Sequence, residues 1–317
     1  MKSSQKQTIL ITGGTSYTAR FMIEKLMRET EAKLVLTSRQ PALIPVKEHE
    51  RITCLEGNLN DLATFQKVFQ RHSITHVIHL AAMARLGICE QDPAEAIRIN
   101  LQGTLGLVQI AQEHQVKTFV FTSSDLARDA KSVVGMCKYL IEDEFRKMTF
   151  TSTKFLTVRM PNILDSPGTV SLIFKKQIQH GHPVTITNAK MSRRMISGSQ
   201  AAEMIWGAMN SGHHNDMFVS TEQAINITDL AQQLMQDLAK KVTIEYIGAK
   251  PGERLSEQGY SSDETIATTL PGFGKLKNNG IQAKETIRMI EHLKQLTLVR
   301  QDKSLINFLN SLQLVKK

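Results

Sequence analysis

Short apolar runs and longer amphipathic segments alternate through the first half of this chain, and this alternation limits the folds open to it. The apolar runs cover residues 8–12, 33–37, 51–55, 76–80, 119–122 and 155–159, and helical spacing covers residues 16–29, 61–71, 93–114 and 134–147. Strands joined by helices at this spacing are typical of parallel sheets. We therefore predict an α/β fold with a Rossmann-type, doubly wound parallel sheet.

Beyond residue 161 the predicted elements follow a less regular order. Helices are predicted over residues 170–180, 199–209 and 227–239, and strands over residues 183–187, 217–220 and 242–247. Thr228 or Asp229 is the predicted N-cap of the helix over residues 227–239. We predict two units with some interleaved segments: a Rossmann domain over residues 1–165 and a smaller C-terminal substrate-binding lobe over residues 166–317.

The composition is that of an ordinary globular protein, with 41% hydrophobic and 22% charged residues in a chain of 317. No run approaches the roughly 20 apolar residues that a membrane span needs. The N-terminus is polar and leads directly into a predicted strand, so we predict no signal peptide. Cys54, Cys89 and Cys137 are far apart in the sequence, and we expect them to be reduced thiols in a cytoplasmic protein.

The net charge of +9 suggests an anionic partner. The chain has no lysine or arginine block and only 5% aromatic residues, so we expect no nucleic-acid partner. The positive charge is then either spread over a basic surface or used in part to hold phosphates. The ten histidines and three cysteines lack metal-type spacing, so we expect no metal site.

A glycine pair directly after the first predicted strand is a candidate dinucleotide site. Gly13 and Gly14 are followed by Thr15, Ser16 and Tyr17. A glycine-rich turn lets the backbone approach a pyrophosphate, which then lies at the N-terminus of the next helix. Ser16 stands where the usual fingerprint has a close-approach glycine, and a glycine pair after a strand is also found in tight turns that bind nothing.

Ser38 and Arg39 follow the second predicted strand, where the adenosine ribose of a dinucleotide would lie. An acidic residue near this point suits the 2′-hydroxyl of NAD, whereas an arginine suits the 2′-phosphate of NADP. The sequence therefore predicts NADP rather than NAD as the cofactor. The alternative is that Arg39 is a solvated residue after a strand.

Polar groups follow the strand predicted over residues 119–122. Ser124 and Asp125 end this strand, and Lys138 lies on the next predicted helix. A hydroxyl, a carboxylate and an ammonium are thus expected at the carboxyl end of a parallel strand, where open α/β sheets bind ligands. This edge is the predicted active site, although Ser124 and Asp125 also suit a plain turn.

Four segments give the chain its resemblance to a known family. They are VIHLAAMARLGICEQDPAEAIRINLQGT (residues 77–104), TFVFTSSDLARDAKSVVGMCK (residues 118–138), PGTVSLIFKKQIQHGHPVTITNAKMSRRM (residues 167–195) and KPGERLSEQ (residues 250–258). With them the chain resembles the extended short-chain dehydrogenase/reductases, and within these the inverting UDP-N-acetylglucosamine 4,6-dehydratases of bacterial polysaccharide biosynthesis. The segments cover both predicted units in the right order.

The resemblance implies an NADP-dependent internal redox cycle. The sugar is oxidised at C4, loses its C5 proton and the C6 water, and receives the hydride at C6. The family's threonine-aspartate-lysine trio aligns with Ser124, Asp125 and Leu126, and its tyrosine and helical lysine align with Val134 and Lys138. The resemblance thus assigns catalysis to Ser124, Asp125 and Lys138, with Lys138 also bonding the nicotinamide ribose.

Two groups of that machinery are replaced in this chain. Leu126 cannot abstract a proton, and Val134 has no hydroxyl to assist hydride removal. General acid–base help is worth about 10²–10⁴ in rate. Lys131 and Asp129 lie in the same predicted loop, and we put forward Lys131 as the replacement base.

The resemblance also supplies binding residues. Asn58, Leu59, Ala81, Ala82 and Asn100 would contact the cofactor, in addition to the glycine turn. On the substrate side the implied residues are Met83, Arg85, Asn162, Arg193, Glu253 and Arg254, with the arginines suited to the diphosphate and uridine. Helices over residues 93–114 and 134–147 match those that pair between subunits in the family, which predicts a homo-oligomer.

Three functions remain open from the sequence. The first is an NADP-dependent nucleotide-sugar dehydratase with a rearranged active site. The second is an oxidoreductase of the same family that acts on another substrate in secondary metabolism. The third is a non-catalytic NADP-binding relative.

Overall fold

The structure is a computed structural model that describes residues 7–46, 48–128, 130–148, 151–248, 255–256, 259–260, 266–270, 272–276, 283–298 and 302–314. In chain order its strands are β1 (Thr8–Thr12), β2 (Lys33–Ser38), β3 (Ile52–Glu56), β4 (His76–His79), β5 (Thr118–Ser124), β6 (Lys154–Met160), β7 (Asn162–Ile163), β8 (Val184–Ile186), β9 (Ser192–Ile196), β10 (Met217–Ser220), β11 (Ala224–Asn226), β12 (Ile244–Tyr246), β13 (Ile266–Leu270) and β14 (Phe273–Leu276).

The helices are α1 (Tyr17–Glu29), α2 (Leu62–Arg71), α3 (Leu86–Gln91), α4 (Pro93–Ile97), α5 (Thr104–Glu113), α6 (Val133–Lys147), α7 (Val170–His180), α8 (Gly198–Ser211), α9 (Ile227–Asp237), α10 (Ala283–Leu298) and α11 (Lys303–Leu314). A π-helical turn, Arg98–Gly103, joins α4 to α5, so the helix predicted over residues 93–114 is continuous but locally widened. Short 3₁₀ turns cover Pro41–Leu43 and Asp125–Ala127.

The main sheet has the strand order β13-β14-β10-β6-β5-β4-β1-β2-β3 within the described residues. From β10 to β3 all neighbours are parallel, and β14 pairs antiparallel with both β10 and β13. The predicted Rossmann-type, doubly wound parallel sheet is therefore confirmed. The chain leaves β1 towards β2 on one side and reaches β4 on the other, which creates a crevice at the carboxyl ends of these strands.

Helices cover both faces of this sheet because its strands are apolar on both sides. Helices α1 and α8 pack on one face around Met22, Leu26 and Ile205, all of which are fully buried. Helices α2, α5 and α6 pack on the other face around Phe119 and Phe121. The strand ends are thereby held rigidly, and the ligand edge is left to loops.

A smaller lobe lies beyond β6. Its strands form the sheet β11-β9-β7 and the pair β12-β8, and α7 and α9 share a core with them around Phe174 and Ile178. The predicted cap of α9 is wrong: Asn226, not Thr228 or Asp229, precedes the helix and accepts a hydrogen bond from the Thr228 N–H at 2.7 Å. Strand β10 lies beside β6 in the main sheet.

Helix α10 packs against α4 and α6, and α11 packs against α10. Met289, Ile290, Leu293 and Leu309 join the core on that side of the sheet. Thr286 donates a hydrogen bond to the Asp143 carboxylate at 2.9 Å. Helix α6, which the resemblance assigns to subunit pairing, is consequently buried within its own chain along most of its length.

Candidate active site

The glycine pair forms a tight turn at the carboxyl end of β1. Gly13 has φ +71°, and a Cβ added to it would lie 2.8 Å from the backbone nitrogen of Ala81. The Gly14 N–H donates to the Thr37 carbonyl at 2.8 Å, and the Ser16 N–H donates to the Gly13 carbonyl at 2.8 Å. Only glycine fits position 13, because both the backbone conformation and the close approach exclude a side chain.

Ser16, which stands where a glycine is expected, caps a helix. Its hydroxyl accepts a hydrogen bond from the Ala19 N–H at 3.2 Å and so caps α1. Serine is among the best N-cap residues. Tyr17 is the first helical residue, and its ring lies 5.1 Å from that of Phe21. The hydroxyl of Ser16 therefore stabilises the helix start that would face a pyrophosphate.

The ends of β1 and β2 are joined across the crevice by hydroxyls. The hydroxyls of Thr15 and Ser38 lie 3.1 Å apart, and Ser38 also accepts a hydrogen bond from the Gln40 N–H at 3.2 Å. Arg39 is exposed beside them. This arrangement fixes the turn after β2 and leaves the Arg39 guanidinium at the rim.

A cavity of about 250 Å³ lies in the crevice between these strand ends. Ten of the predicted binding residues line it: Gly13, Thr15, Ser16, Ser38, Arg39, Asn58, Leu59, Ala81, Ala82 and Met83. Six further residues line it that the sequence analysis did not single out: Thr12, Thr37, Gly57, Phe65, Leu80 and Ile99. Most of these six lie at or just after strand ends, which is a signal that could have identified them. The predicted residues Gly14, Tyr17, Asn100 and Lys138 do not line it.

The wall of the cavity after β4 is held by a buried histidine. The His79 ring nitrogens lie 2.8 Å from the Thr12 hydroxyl and 3.0 Å from the Thr104 hydroxyl, and the Thr12 oxygen in turn accepts the Ala81 N–H at 3.2 Å. Burial lowers the pKa of His79 to about 3. The ring is therefore neutral at physiological pH, so it holds the two hydroxyls in place and does not act as an acid.

Asn100 supports the same wall from the π-helical turn. Its amide accepts the Met83 N–H at 2.7 Å and donates to the Met83 carbonyl at 2.9 Å. On the other side Gly103 meets Leu59 so closely that a Cβ would lie 2.6 Å from its carbonyl oxygen. π-Helical turns often occur at functional sites. Asn100 thus shapes the cavity without lining it.

Asn58, on the rim, accepts the Asn60 N–H at 3.1 Å.

Lys138 lies on α6 behind the end of β5. Its ammonium donates to the Thr122 carbonyl at 2.7 Å and lies 4.5 Å from the centre of the Phe121 ring. Burial lowers its pKa to about 8. The group is held in a fixed place by an acceptor and an aromatic face, so its position depends on β5 and not on a carboxylate partner.

The two altered catalytic positions are apolar parts of the core. Val134 is buried, and Leu126 is partly buried against the same core cluster. The hydroxyl of Ser124 accepts the Leu126 N–H at 3.3 Å and caps the short turn that follows β5. Lys131, the suggested replacement base, is exposed ahead of α6.

Asp125 lies in a buried ion pair that no local sequence pattern indicates. Its carboxylate lies 3.3 Å from the Arg194 guanidinium, and both side chains are almost fully buried. Arg194 also donates to the carbonyls of Ser220 and Glu222 and lies over the Tyr260 ring at 5.1 Å. These partners come from elements 69 or more residues apart from Asp125.

A second buried ion pair lies beside the first. Arg159 donates to both carboxylate oxygens of Glu142, at 3.1 and 2.5 Å, and to the Gly259 carbonyl at 2.7 Å. The hydroxyl of Ser123 donates to Glu142 at 2.6 Å. A bidentate arginine with its carboxylate satisfied by a third group is a strong, geometrically specific contact. The sequence analysis missed Arg159, Glu142 and Arg194, because nothing local in the sequence reveals a contact between distant segments.

The predicted substrate residues are only partly brought together. Arg85 is exposed at the start of α3, and the amide of Asn162 donates to the Arg194 carbonyl at 3.5 Å. Arg193 is buried on β9, where it donates to the Ser192 carbonyl at 2.8 Å and to the Leu255 carbonyl at 3.3 Å. The other two predicted residues, Glu253 and Arg254, lie outside the described residues, as does Asp129.

The residues that the structure describes contain no helix that combines the length and the apolar character needed to cross a membrane. No group of three or more histidine, cysteine, aspartate or glutamate side chains in this part of the chain could hold a metal ion.

Residues 9–273 match the family model for polysaccharide biosynthesis proteins. An uncharacterized membrane protein of Methanocaldococcus jannaschii is 29% identical over 80% of each chain. The capsular polysaccharide biosynthesis protein CapD of Staphylococcus aureus is 28% identical over 81% of this chain but only 46% of its own length. A UDP-glucose 4-epimerase of Rickettsia massiliae is 25% identical over 92% of this chain and 89% of its own.

Among solved structures, Pen from Bacillus thuringiensis superposes with a TM-score of 0.78 at 27% identity, over 86% of this chain and 90% of Pen. The sequence matches and this superposition confirm the predicted resemblance to the extended short-chain dehydrogenase/reductases, and the match to CapD supports the predicted link to bacterial polysaccharide biosynthesis. The chain thus has the fold of epimerase- and dehydratase-like proteins.

Proposed function

The chain belongs to the polysaccharide biosynthesis protein family, and we propose that it is an NADP-dependent enzyme that modifies nucleotide sugars, a UDP-N-acetylglucosamine 4,6-dehydratase-like protein with a divergent active site. The observation that carries this proposal is the cavity at the ends of β1, β2 and β4, with the glycine turn on one wall and Lys138 behind the neighbouring strand. A dinucleotide needs a turn without side chains, a helix N-terminus and room, and this edge offers all three.

The choice of NADP rests on the rim of the cavity. Arg39 lines it, and among the described residues around it none is aspartate or glutamate. A guanidinium favours a 2′-phosphate, whereas a carboxylate would repel one. Bound there, the nicotinamide would supply hydride transfer to and from the sugar. The chain's own part is to hold the ribose through Lys138 and to orient the sugar with the groups at the end of β5.

At the end of β5, the positions that carry the family's catalytic acid and base hold no group that is free to transfer a proton. Leu126 and Val134 are apolar, and the Asp125 carboxylate is paired with Arg194. We therefore keep Lys131 as the proposed replacement base, since it is exposed in the loop ahead of α6. If this is right, Lys131→Ala abolishes turnover while NADPH still binds. Undiminished turnover in that variant would remove Lys131 from the mechanism.

Mass spectrometry of UDP-N-acetylglucosamine, incubated with the purified protein and NADP, tests the proposal. Loss of one water from the sugar nucleotide is the expected result. An unchanged sugar nucleotide, with NADPH binding shown in parallel, would contradict the dehydratase and favour the second function, an oxidoreductase for another substrate in secondary metabolism. The apolar side chains of Leu126 and Val134 are the observation that keeps this second candidate open.

A non-catalytic NADP-binding protein is the third candidate. It would bind NADPH and convert neither UDP-N-acetylglucosamine nor related sugar nucleotides. Failure to bind NADPH at all would contradict all three candidates. The proposal includes a cytoplasmic location and partners limited to small molecules and copies of the same chain.

A homo-oligomer stays a prediction. The resemblance assigns subunit pairing to two helices, but α6 is covered by α10 of the same chain. The outer side of α5, where Gln109 and Glu113 are exposed, is the more accessible of the two. Light scattering on the purified protein would measure the assembly directly, and a monomer at high concentration would contradict the prediction.

A further inference from the structure

Arg194 is a buried cation that depends on Asp125 for its charge balance. Its other contacts are neutral: the carbonyls of Ser220 and Glu222 and the ring of Tyr260. Arg194 is 6% exposed and Asp125 is 3% exposed. A buried charge needs a counter-charge, and removing one partner of such a pair is far more costly than breaking a pair at the surface. Asp125 is therefore needed in its charged form, in place.

Gly259 and Tyr260 pack directly against this ion pair. A Cβ at Gly259 would lie 2.2 Å from the Arg194 guanidinium and 2.5 Å from the Asp125 carboxylate. The Gly259 carbonyl accepts a hydrogen bond from Arg159 at 2.7 Å. The segment thus lies in direct contact with two buried arginines, each neutralised by its own carboxylate.

We propose that Asp125 and Arg194 are positioning residues that form a latch, which fastens Gly259 and Tyr260 to the carboxyl ends of β5 and β10, and that Asp125 does not transfer protons. The latch has a second attachment point at Leu255, whose carbonyl accepts the Ser192 N–H at 2.8 Å and the Arg193 guanidinium at 3.3 Å. The segment is therefore held at both ends by described contacts.

The latch gives the C-terminal lobe a role in substrate binding, and this part rests on the proposed function. Glu253 and Arg254, the predicted contacts to the ribose and diphosphate, directly precede Leu255 in the sequence. The latch and the Leu255 contacts thereby connect the end of β5, where the sugar would react, to Leu255, the residue that directly follows these two predicted nucleotide contacts in the sequence.

Hydrogen–deuterium exchange tests the latch without any ligand or turnover. The variants are Asp125→Asn, which removes the charge with little change in shape, Arg194→Met, and Gly259→Ala, which displaces the ion pair without removing a titratable group. In each, the amides of Leu255, Ser256, Gly259 and Tyr260 should exchange at least about tenfold faster than in the wild type. The double variant Asp125→Asn/Arg194→Met should be no worse than the worse single variant, since the two groups act as one unit.

Asp165→Asn is the matched control, because Asp165 forms a half-exposed ion pair with Lys175 at 2.6 Å in the same lobe. It should leave the exchange of Leu255, Ser256, Gly259 and Tyr260 unchanged. Unchanged exchange in folded Asp125→Asn and Gly259→Ala protein would overturn the latch. These two variants decide the question even where Arg194→Met does not fold.

Titration with UDP in the presence of NADPH then separates the latch from the proposed function. The latch predicts that Asp125→Asn and Gly259→Ala both bind UDP at least about tenfold more weakly than the wild type. If Asp125→Asn kept wild-type UDP affinity and wild-type exchange but lost turnover, Asp125 would be an acid or base, and the latch would be wrong. If the wild type itself bound no UDP, the nucleotide-sugar function would fail, while the exchange result would still decide the latch.

Discussion

The two halves of the ligand edge are built in opposite ways. At the ends of β1, β2 and β4 the chain leaves an open cavity walled by glycine, alanine and hydroxyl groups, with Arg39 as the charged residue of its lining. At the ends of β5 and β6 it packs charged side chains against one another, with Asp125 on Arg194 and Glu142 on Arg159. A carboxylate at an active-site edge is thus no sign of proton transfer by itself, because its charge can be committed to holding the fold.

The largest expected effect falls on the packed half of the ligand edge, at the ends of β5 and β6. Replacement of Glu142 by alanine leaves Arg159 buried without its carboxylate, and such a loss costs about 3–5 kcal/mol of unfolding free energy. Urea denaturation measures it. Glu203→Gln is the control, since Glu203 is half-exposed and its partner Lys25 keeps Glu29 at 2.9 Å; we expect about 1 kcal/mol or less there. Equal costs for the two variants would contradict the contrast between the halves.

In the open half the largest effect should come from Gly13→Ala. The new Cβ would lie 2.8 Å from the Ala81 backbone in a left-handed conformation, so the turn must move. We expect NADPH to bind at least about 100-fold more weakly, which corresponds to about 3 kcal/mol. Gly87→Ala is the control, because a Cβ at Gly87 meets open space. NADPH affinity near that of the wild type in Gly13→Ala would show that the cofactor does not use this turn.

Lys138, at the border between the halves, should give the protein a pH-dependent stability. Burial lowers its pKa to about 8 from the ordinary value of 10.5. Between these values the unfolded chain holds the proton and the native protein does not, so unfolding free energy should rise with pH across this window, and below it Lys138 adds no slope. The rise should be at most about 3 kcal/mol, and Lys138→Met should lack it.

Denaturation of the wild type and Lys138→Met at about pH 7.5 and about pH 10.5 isolates this contribution, since the other titrating groups are common to both proteins. The same pH dependence in the two proteins would mean that the Lys138 ammonium is well solvated.

The smallest expected effect concerns Ser16. Loss of the helix cap in Ser16→Ala should cost about 1 kcal/mol of stability, whereas Ser16→Gly should cost only a few tenths. Because the serine hydroxyl caps α1 instead of blocking the turn, NADPH affinity in Ser16→Gly should stay within a few-fold of the wild type. A large gain of affinity in Ser16→Gly would show that the serine obstructs the cofactor.

The open half could be predicted from the sequence because its determinants are local. Strand ends, the glycine turn and Arg39 are each visible within a few residues, and ten of the predicted residues line the cavity. Even the cap by Ser16 follows a rule that the sequence displays, a serine directly before a helix. The true cap of α9 had a similar signal in Asn226, but the strand β11 that precedes it is only three residues long and was not predicted.

The packed half could not be predicted in this way. Asp125 and Arg194 are 69 residues apart, and Arg159 reaches Gly259 across 100 residues. Each of these residues also suits a turn, a strand or a surface by itself. Only the fold, which brings β5, β6 and β9 to one edge, shows that their charges neutralise one another. Asp125 directly follows β5, and its partner Arg194 could not be found from a local pattern.

The most direct test of the central claim, that the open half is an NADP site, is a fluorescence titration of the wild type and Arg39→Ala with NADPH and with NADH. A hydrogen bond to a charged group is worth about 1.5–3 kcal/mol, so the wild type should bind NADPH at least about tenfold more tightly than NADH. Arg39→Ala should lose that preference and keep its affinity for NADH. Binding of neither dinucleotide, or a preference for NADH in the wild type, would contradict the account.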